Sequence, residues 1–347
     1  MVQAKKQLLL QALYSAGLLQ LFLASQRNKV TILMLHGVID PNAPSAWKPL
    51  RSQLTTKELS KTLTILARYY HFVSLPEAAE MLAGTRPLVP HSLALTFDDG
   101  YRNNLTFALP ILRQFKAPAT VFLCTGNVTK QEPFWFDRLD YAVQSMNDKS
   151  HQGIPELKEI DFSNRENLTR SFITFIRKEK TNYPTDADMR SAINNLTERM
   201  EQRSGQGLAD FFADDPWSGV LTWDEVQKAA AEVHFGSHGI DHCQLGLISP
   251  DAAREELLAS REAIEFHTGS PCRHLAYPNG SFNNNLISLV KEYKYLSAVT
   301  SMHGLNRAGA EMFTLRRIAF PRNNSAAGTI TVTTGLSAGW QKISKKF

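Results

Sequence analysis

Cysteine is scarce in this chain of 347 residues, with three in all and no pair at a C-x-x-C spacing. This scarcity argues against a disulfide-stapled fold and slightly favours a reducing compartment. The chain also lacks internal repeats and low-complexity segments, and its net charge is only +5. Because no run of Lys and Arg is longer than a pair such as the terminal Lys345-Lys346, the charge gives no indication of nucleic-acid binding. A chain of this size can fold without a metal, so a metal would serve chemistry.

The first 28 residues raise the question of where the protein resides. Residues 7–26 carry no charge and are rich in leucine, with Lys5-Lys6 before them and Arg27 after them. About 20 such residues can cross a bilayer, although several Gln and Ser make this segment a marginal span. We therefore predict a membrane-associating helix over residues 1–28, with the protein at the cytoplasmic face. A docked helix of a soluble fold and a signal peptide of a periplasmic or extracellular protein are the alternatives.

Short apolar runs alternate with amphipathic segments through most of the chain. The predicted strands cover residues 30–35, 72–75, 92–97, 119–124, 233–237, 273–277, 296–300 and 314–320. Such alternation is typical of parallel strands with helices outside, and about seven of them favour a (β/α) barrel over residues 29–328. Residues 129–219 are polar with apolar residues at helical spacing, which predicts a helical insert. Residues 329–347 are predicted to be a carboxyl-terminal tail.

Polar residues follow four of the predicted strands, where a barrel of parallel strands gathers its functional groups. These positions hold His36, the pair Asp98-Asp99, the pair His238 and His242, and Asn279. Taken separately, Asp98-Asp99 suit a capped turn and the histidines suit ordinary surface or core positions. Taken together, one aspartate and two histidines form a three-ligand set with open positions, which is how a catalytic metal is held.

The motifs at these strand ends resemble those of the polysaccharide deacetylases, the NodB-homology carbohydrate esterases. Residues 96–101 read TFDDGY, residues 238–242 read HGIDH, and residues 273–280 read RHLAYPNG. The resemblance covers roughly residues 30–322 and implies an α/β fold, a distorted (β/α)7 barrel. It also implies that Asp99, His238 and His242 bind a divalent metal, Zn²⁺ first and Co²⁺ second.

The resemblance implies roles for the other residues of these motifs. Asp98 would be the general base, Arg273 would pair with it, and the backbone N–H of Asn279 would stabilise the oxyanion. The substrate-contacting residues would be three aromatic residues, Tyr101, Trp135 and Tyr277. The aromatic segment 134–136 suits packing of the insert on the barrel equally well. Arg316 and Arg317 are interpreted as a solvated strand face, with contact to an anionic group of the substrate as the alternative.

Two features depart from the family pattern. Gly239 replaces the serine or threonine whose hydroxyl braces the metal loop, so support for this loop is weaker or comes from elsewhere. The usual carboxyl-terminal Leu-x-x-His segment is missing, whereas residues 33–37 (LMLHG) resemble it. Some family members carry this histidine first, in a permuted order, which favours His36 as the general acid. His303 is the alternative, as a residue of a substrate loop.

These residues predict a metal-dependent hydrolase that removes N-acetyl groups from the amino sugars of a carbohydrate, either an exopolysaccharide or a glycan precursor. A deformylase or other amide hydrolase acting on a lipid-linked amino sugar would use the same groups. An inactive carbohydrate-binding relative is the alternative from another class, and the presence of Asp98 and all three ligands disfavours it. A glycosidase using the two aspartates is also disfavoured, because its carboxylates must be ~5–9.5 Å apart and need no histidine ligands.

Overall fold

A computed structural model describes residues 2–146, 153–322 and 325–336 of the protein. Its strands are β1 (Lys29–Leu35), β2 (Val38–Ile39), β3 (Leu54–Thr55), β4 (His71–Phe72), β5 (Ser92–Phe97), β6 (Ala119–Leu123), β7 (His234–Ser237), β8 (His274–Ala276), β9 (Ser297–His303), β10 (Asn306–Arg307) and β11 (Leu315–Ala319). Seven of them pair in parallel, in the order β1, β11, β9, β8, β7, β6, β5, and β5 pairs with β1. The predicted seven-stranded (β/α) barrel is therefore confirmed.

Alternate residues of each barrel strand face the lumen and the surrounding helices. Val30 and Ile32 of β1 pack with Ala94 of β5 and Leu315 of β11 in one apolar cluster, which lies inside the barrel. The intervening residues of these strands pack outward, in the larger cluster that includes Leu33. Both faces are buried, which explains why these strands read as continuous apolar runs.

The helices are α1 (Val2–Ser15), α2 (Leu18–Ser25), α3 (Thr56–Leu66), α4 (Leu75–Ala83), α5 (Leu109–Gln114), α6 (Thr125–Lys130), α7 (Trp135–Gln144), α8 (Arg165–Glu179), α9 (Asp186–Ser204), α10 (Trp223–Ala229), α11 (Pro250–Thr268), α12 (Asn284–Glu292) and α13 (Ala326–Thr333). Capping boxes begin α3 and α10 at Thr55 and Thr222, where each hydroxyl accepts a hydrogen bond from the backbone N–H three residues on. A π-helical turn, Asn104–Ala108, precedes α5.

Helices α7, α8 and α9 form the insert between β6 and β7, and they have an apolar core of their own. That core includes Leu139 of α7, Phe172 of α8 and Ile193 of α9, all buried. The insert packs as a separate layer above the carboxyl ends of the strands, so its loops are positioned to reach the predicted site.

Helices α1 and α2 pack against the barrel. Their residues Leu10, Leu19 and Leu23 are buried in the main core, and α13 contacts both helices. The predicted boundary between barrel and tail, at residues 328 and 329, falls inside α13, whose apolar residues make it part of the fold. Within the described part of the chain no single helix is long and apolar enough to cross a bilayer, whereas Gln7–Ser15 and Leu18–Ser25 meet those limits only as a pair bent by 78°.

Candidate active site

A buried ion pair between Asp98 and Arg317 lies at the carboxyl end of the barrel lumen. Ala94, Thr96 and Asp98 share the lumen side of β5, and Leu315 and Arg317 share that of β11. The Arg317 guanidinium donates from Nη1 to Asp98 Oδ1 and from Nη2 to Oδ2, both at 2.7 Å. It also donates to the Thr96 hydroxyl at 3.1 Å.

The prediction that Arg273 pairs with Asp98 is therefore wrong. Arg273 comes immediately before β8, whereas Asp98 comes immediately after β5. Because these strands are parallel, the two residues lie at opposite ends of the barrel. Arg273 is exposed there, in a groove that it lines with Arg261 and Glu265. The interpretation of Arg317 as part of a solvated strand face is also wrong, because its side chain points into the lumen.

The Asp98 carboxyl is held ionised by its surroundings. Burial raises its pKa, but the charge of Arg317 outweighs this effect and brings the pKa below its usual range, with smaller contributions from His238 and His36. A buried carboxylate whose two oxygens are fixed by one guanidinium has a defined orientation. Asp98 is thus available to accept a proton at neutral pH.

The three predicted metal ligands converge beside Asp98. Asp99 Oδ1 lies 3.6 Å from His238 Nε2 and 3.4 Å from His242 Nε2. All three side chains are buried, and their ligand atoms lie within 4.8 Å of one another. The Asp99 Oδ1 atom has no hydrogen-bond partner, which is costly for a buried carboxylate oxygen. A cation at the centre of this group would satisfy it.

The protonation states of these residues also suit a divalent cation. His238 Nδ1 bonds to the carbonyl oxygen of Ala276 at 2.7 Å, which leaves Nε2 facing Asp99. Burial lowers the pKa of His238 to about 4, so its imidazole is neutral, as a metal ligand must be. Burial raises the pKa of Asp99, but the neighbouring His242, His36 and His238 lower it further than burial raises it.

The loop between the two histidine ligands obtains its support from a carboxylate. Glu256 of α11 accepts a hydrogen bond from the backbone N–H of Ile240 at 2.6 Å. Gly239 has a φ of +76°, and a Cβ at this position would lie 2.6 Å from Glu256 Oε2. The space that a serine or threonine side chain would need is therefore occupied by the carboxylate, and the backbone conformation favours glycine. This explains the departure at Gly239.

The insert supports the other side of the same loop. Arg190 of α9 donates from Nη1 to the carbonyl oxygen of Asp241 at 3.2 Å, and its Nε lies 2.8 Å from Asp186 Oδ2. Asp186 in turn accepts from the backbone N–H of Gln244 at 3.2 Å. These contacts flank His242, so the insert contributes to the position of a metal ligand.

His36 lies at the end of β1, next to the catalytic carboxylates. The register that pairs Leu35 with Phe97 brings His36 level with Asp98, and its charge lowers the pKa of both aspartates. The buried Asn104 fixes its backbone by donating to the His36 carbonyl oxygen at 2.7 Å. His36 is exposed, so its side chain is accessible from solvent. His303 is also exposed, and its carbonyl oxygen accepts from Arg316 Nη1 at 3.3 Å.

The turn after β8 meets the insert at Asn279. Asn279 has a φ of +54°, in the left-handed region. Its side-chain oxygen accepts from Lys180 Nζ at 2.6 Å, and that ammonium lies 5.7 Å from the centre of the Trp135 ring. The residue at which we predict an oxyanion donor is therefore held in place by a lysine that follows α8.

The aromatic residues predicted to contact substrate have different surroundings. Tyr277 is buried and donates to the Phe313 carbonyl oxygen at 3.0 Å, so its prediction as a contact residue is wrong. Tyr101 is buried as well, and its hydroxyl donates to Asp137 at 2.6 Å, inside the structure rather than at its surface. Trp135 is half-buried at the edge of the insert and remains a prediction.

The neighbours of Trp135 in the sequence pack on a metal ligand. The rings of Phe134 and Phe136 stack on each other at 5.1 Å, and their centres lie 5.9 Å and 5.4 Å from the His242 ring. These two rings form an apolar wall on one side of His242.

The sequence model of the polysaccharide deacetylase family matches residues 85–157 and 177–298. This match contains the two aspartates, both histidine ligands and Asn279. The chain belongs to the polysaccharide deacetylase family, and it is accordingly a carbohydrate deacetylase, which hydrolyses amide bonds. Among proteins of curated function, none matches the chain by sequence.

Solved structures of deacetylases share the fold. The Streptococcus pyogenes deacetylase PplD, determined with acetate, aligns with a TM-score of 0.56 at 17% identity, over 88% of this chain and 98% of its own. IcaB from Ammonifex degensii aligns with a TM-score of 0.56 at 16% identity, over 88% of this chain and 97% of its own. A de-N-acetylase from Aggregatibacter actinomycetemcomitans gives 0.52 at 16% identity, over 83% and 94%.

Arg317 and Arg273 form a matched pair for testing the orientation of Asp98. Arg317→Lys keeps the charge but cannot reproduce two parallel hydrogen bonds to one carboxylate. We expect it to lower kcat by about 10²–10⁴-fold, the usual contribution of a positioned general base, while metal content stays the same. Arg273→Lys should leave kcat unchanged. Steady-state kinetics and elemental analysis of the two variants measure this, and equal loss in both would contradict the assignment.

Glu256 and Gly239 make a second test, of the metal loop. Glu256→Ala removes the acceptor for the Ile240 N–H and should weaken metal affinity by about 10–100-fold, as loss of an outer support usually does. Gly239→Ser should do the same, because its side chain meets Glu256 and its backbone is strained. Glu255→Ala, an exposed position on the same helix, is the control. Competition with a chelator gives the affinities; wild-type affinity in Glu256→Ala would show that the carboxylate does not support the loop.

Proposed function

We propose that this protein is a Zn²⁺-dependent de-N-acetylase that acts on the N-acetylated amino sugars of an exopolysaccharide or a glycan precursor. The observation that carries the proposal is the adjacency of two differently arranged aspartates. Asp98 is bound to Arg317, whereas Asp99 lies against His238 and His242. One carboxylate is thus suited to proton transfer and the other to metal binding.

The metal would be held by Asp99, His238 and His242. When bound, it supplies Lewis acidity toward the amide carbonyl and the attacking water. Asp98 accepts the proton of that water, and Arg317 keeps the carboxylate ionised and oriented while it does so. The backbone N–H of Asn279 donates to the oxygen on which negative charge develops, and its contact with Lys180 limits its movement.

Protonation of the leaving amine is assigned to His36. A sugar amine cannot depart as an anion at neutral pH, so a proton donor must lie on the side of the site that the amine leaves by. His36 is exposed beside Asp98 and Asp99, on the first strand of the barrel. Its position is the one expected for the permuted order of motifs, in which the histidine precedes the aspartates in the chain.

Metal removal and product analysis test this function. Incubation with N-acetylglucosamine oligosaccharides should release acetate, chelation should abolish the release, and Zn²⁺ or Co²⁺ should restore it. The fold should survive chelation, because the core does not depend on the site. Mass spectrometry of the products identifies the acyl group removed, and a formyl substrate processed faster than an acetyl one would replace deacetylation by deformylation. Activity in a preparation verified as metal-free would contradict metal dependence.

The assignment of the general acid is tested by comparing two histidines. His36→Ala should lower kcat by roughly 10²–10⁴-fold, the usual range for a general acid, and leave the metal content unchanged, since His36 is outside the ligand group. His303→Ala should alter KM at most. Kinetics on one oligosaccharide at one pH suffice for the comparison. If His303→Ala is inactive and His36→Ala is near normal, the acid is carboxyl-terminal and the permuted order is wrong.

A further inference from the structure

Helices α1 and α2 present two different faces. One face packs on the protein, where Leu10, Leu19 and Leu23 are buried and the Tyr14 hydroxyl bonds to that of Tyr69 at 2.8 Å. The backbone of Arg27, just after α2, accepts from the His91 N–H at 3.0 Å. The pair is therefore attached to the barrel and does not project from it.

The opposite face is an exposed group of four leucines, which we call the leucine face. Their exposed fractions are 72% for Leu8, 49% for Leu9, 50% for Leu18 and 69% for Leu21. The two helices meet at a bend of 78°, so the four side chains lie on both arms of one corner. Exposed leucines concentrated in this way mark a surface that binds something apolar.

The segments that carry and adjoin the leucine face contain no acidic residue. Residues 1–39 contain Lys5, Lys6, Arg27 and Lys29 and no acidic residue. Helix α13 packs on both α1 and α2, and residues 325–336, which include it, carry no charge. The helix pair and the described segment that packs on it therefore have a net positive charge.

We propose that the leucine face docks on the surface of a bilayer that contains anionic phospholipids. Leucine side chains enter the boundary between headgroups and acyl chains, and lysines and arginines beside them attract anionic headgroups. A protein partner would also match the leucines, but it would not require that the neighbouring segments contain no Asp or Glu. Because the other face of the helices is buried on the barrel, the pair lies along the membrane surface, where its exposed leucines are in reach of the acyl chains.

Vesicle sedimentation with the full chain tests this proposal. The protein should bind vesicles that contain phosphatidylglycerol, bind pure phosphatidylcholine vesicles more weakly, and lose binding as salt is raised. The double variant Leu8→Ser with Leu21→Ser should bind at least about tenfold more weakly. The matched control is Leu258→Ser with Phe266→Ser, two exposed apolar residues of α11, and it should bind like the wild type.

Thermal unfolding and turnover of a soluble oligosaccharide verify that both double variants are folded, since none of the four residues lies in the catalytic site. Failure of the wild type to bind anionic vesicles would overturn the proposal, and so would equal binding by the leucine-face variant. Sedimentation velocity without vesicles provides another outcome. A dimer that the Leu8 and Leu21 substitutions dissociate would assign the leucine face to a second copy of this chain and overturn the membrane proposal.

Discussion

The buried pair of Asp98 and Arg317 is the interaction on which the site depends. A carboxylate deep in a barrel lumen is costly unless a cation compensates it, and removing one partner of such a pair leaves an uncompensated charge. Arg317 reaches Asp98 from β11, the last barrel strand, so the pair also connects the end of the barrel to β5. The contact that connects β11 to β5 is therefore also the contact that keeps Asp98 ionised.

The barrel and the convergence of Asp99, His238 and His242 follow from the sequence, because both depend on local pattern. Buried strands read as apolar runs, and residues that follow parallel strands share one rim. Arg317 was missed although its signal was present, since the alternation of Leu315 and Arg317 on one face of β11 puts both in the lumen. Arg273 belongs to a motif, but it precedes its strand and therefore lies at the other end of the barrel.

Other parts of the site could not be predicted from local pattern at all. Glu256 lies 17 residues after Gly239, on the next helix, and only the fold shows that its carboxylate occupies the place of a hydroxyl. Asp186 and Arg190 lie in the insert, whose sequence carries no motif, yet they hold the loop of His242. Tyr277 belongs to the segment 273–280 that resembles the family motif, but its side chain points into the core.

The leucine face and the catalytic groups lie toward opposite ends of the barrel, and this separation limits which substrates can reach the site. The helix pair contacts the chain beside Tyr69 and His91, at the amino ends of β4 and β5, whereas the catalytic groups follow the carboxyl ends. A seven-residue strand such as β1 spans about 23 Å. Because barrel strands tilt by about 36° to the axis, a protein resting on its leucine face would hold its catalytic rim about 19 Å above the headgroups, open to the aqueous side. Long glycan chains that extend from the surface would reach the rim, and a single sugar attached directly to a lipid in the same leaflet would not.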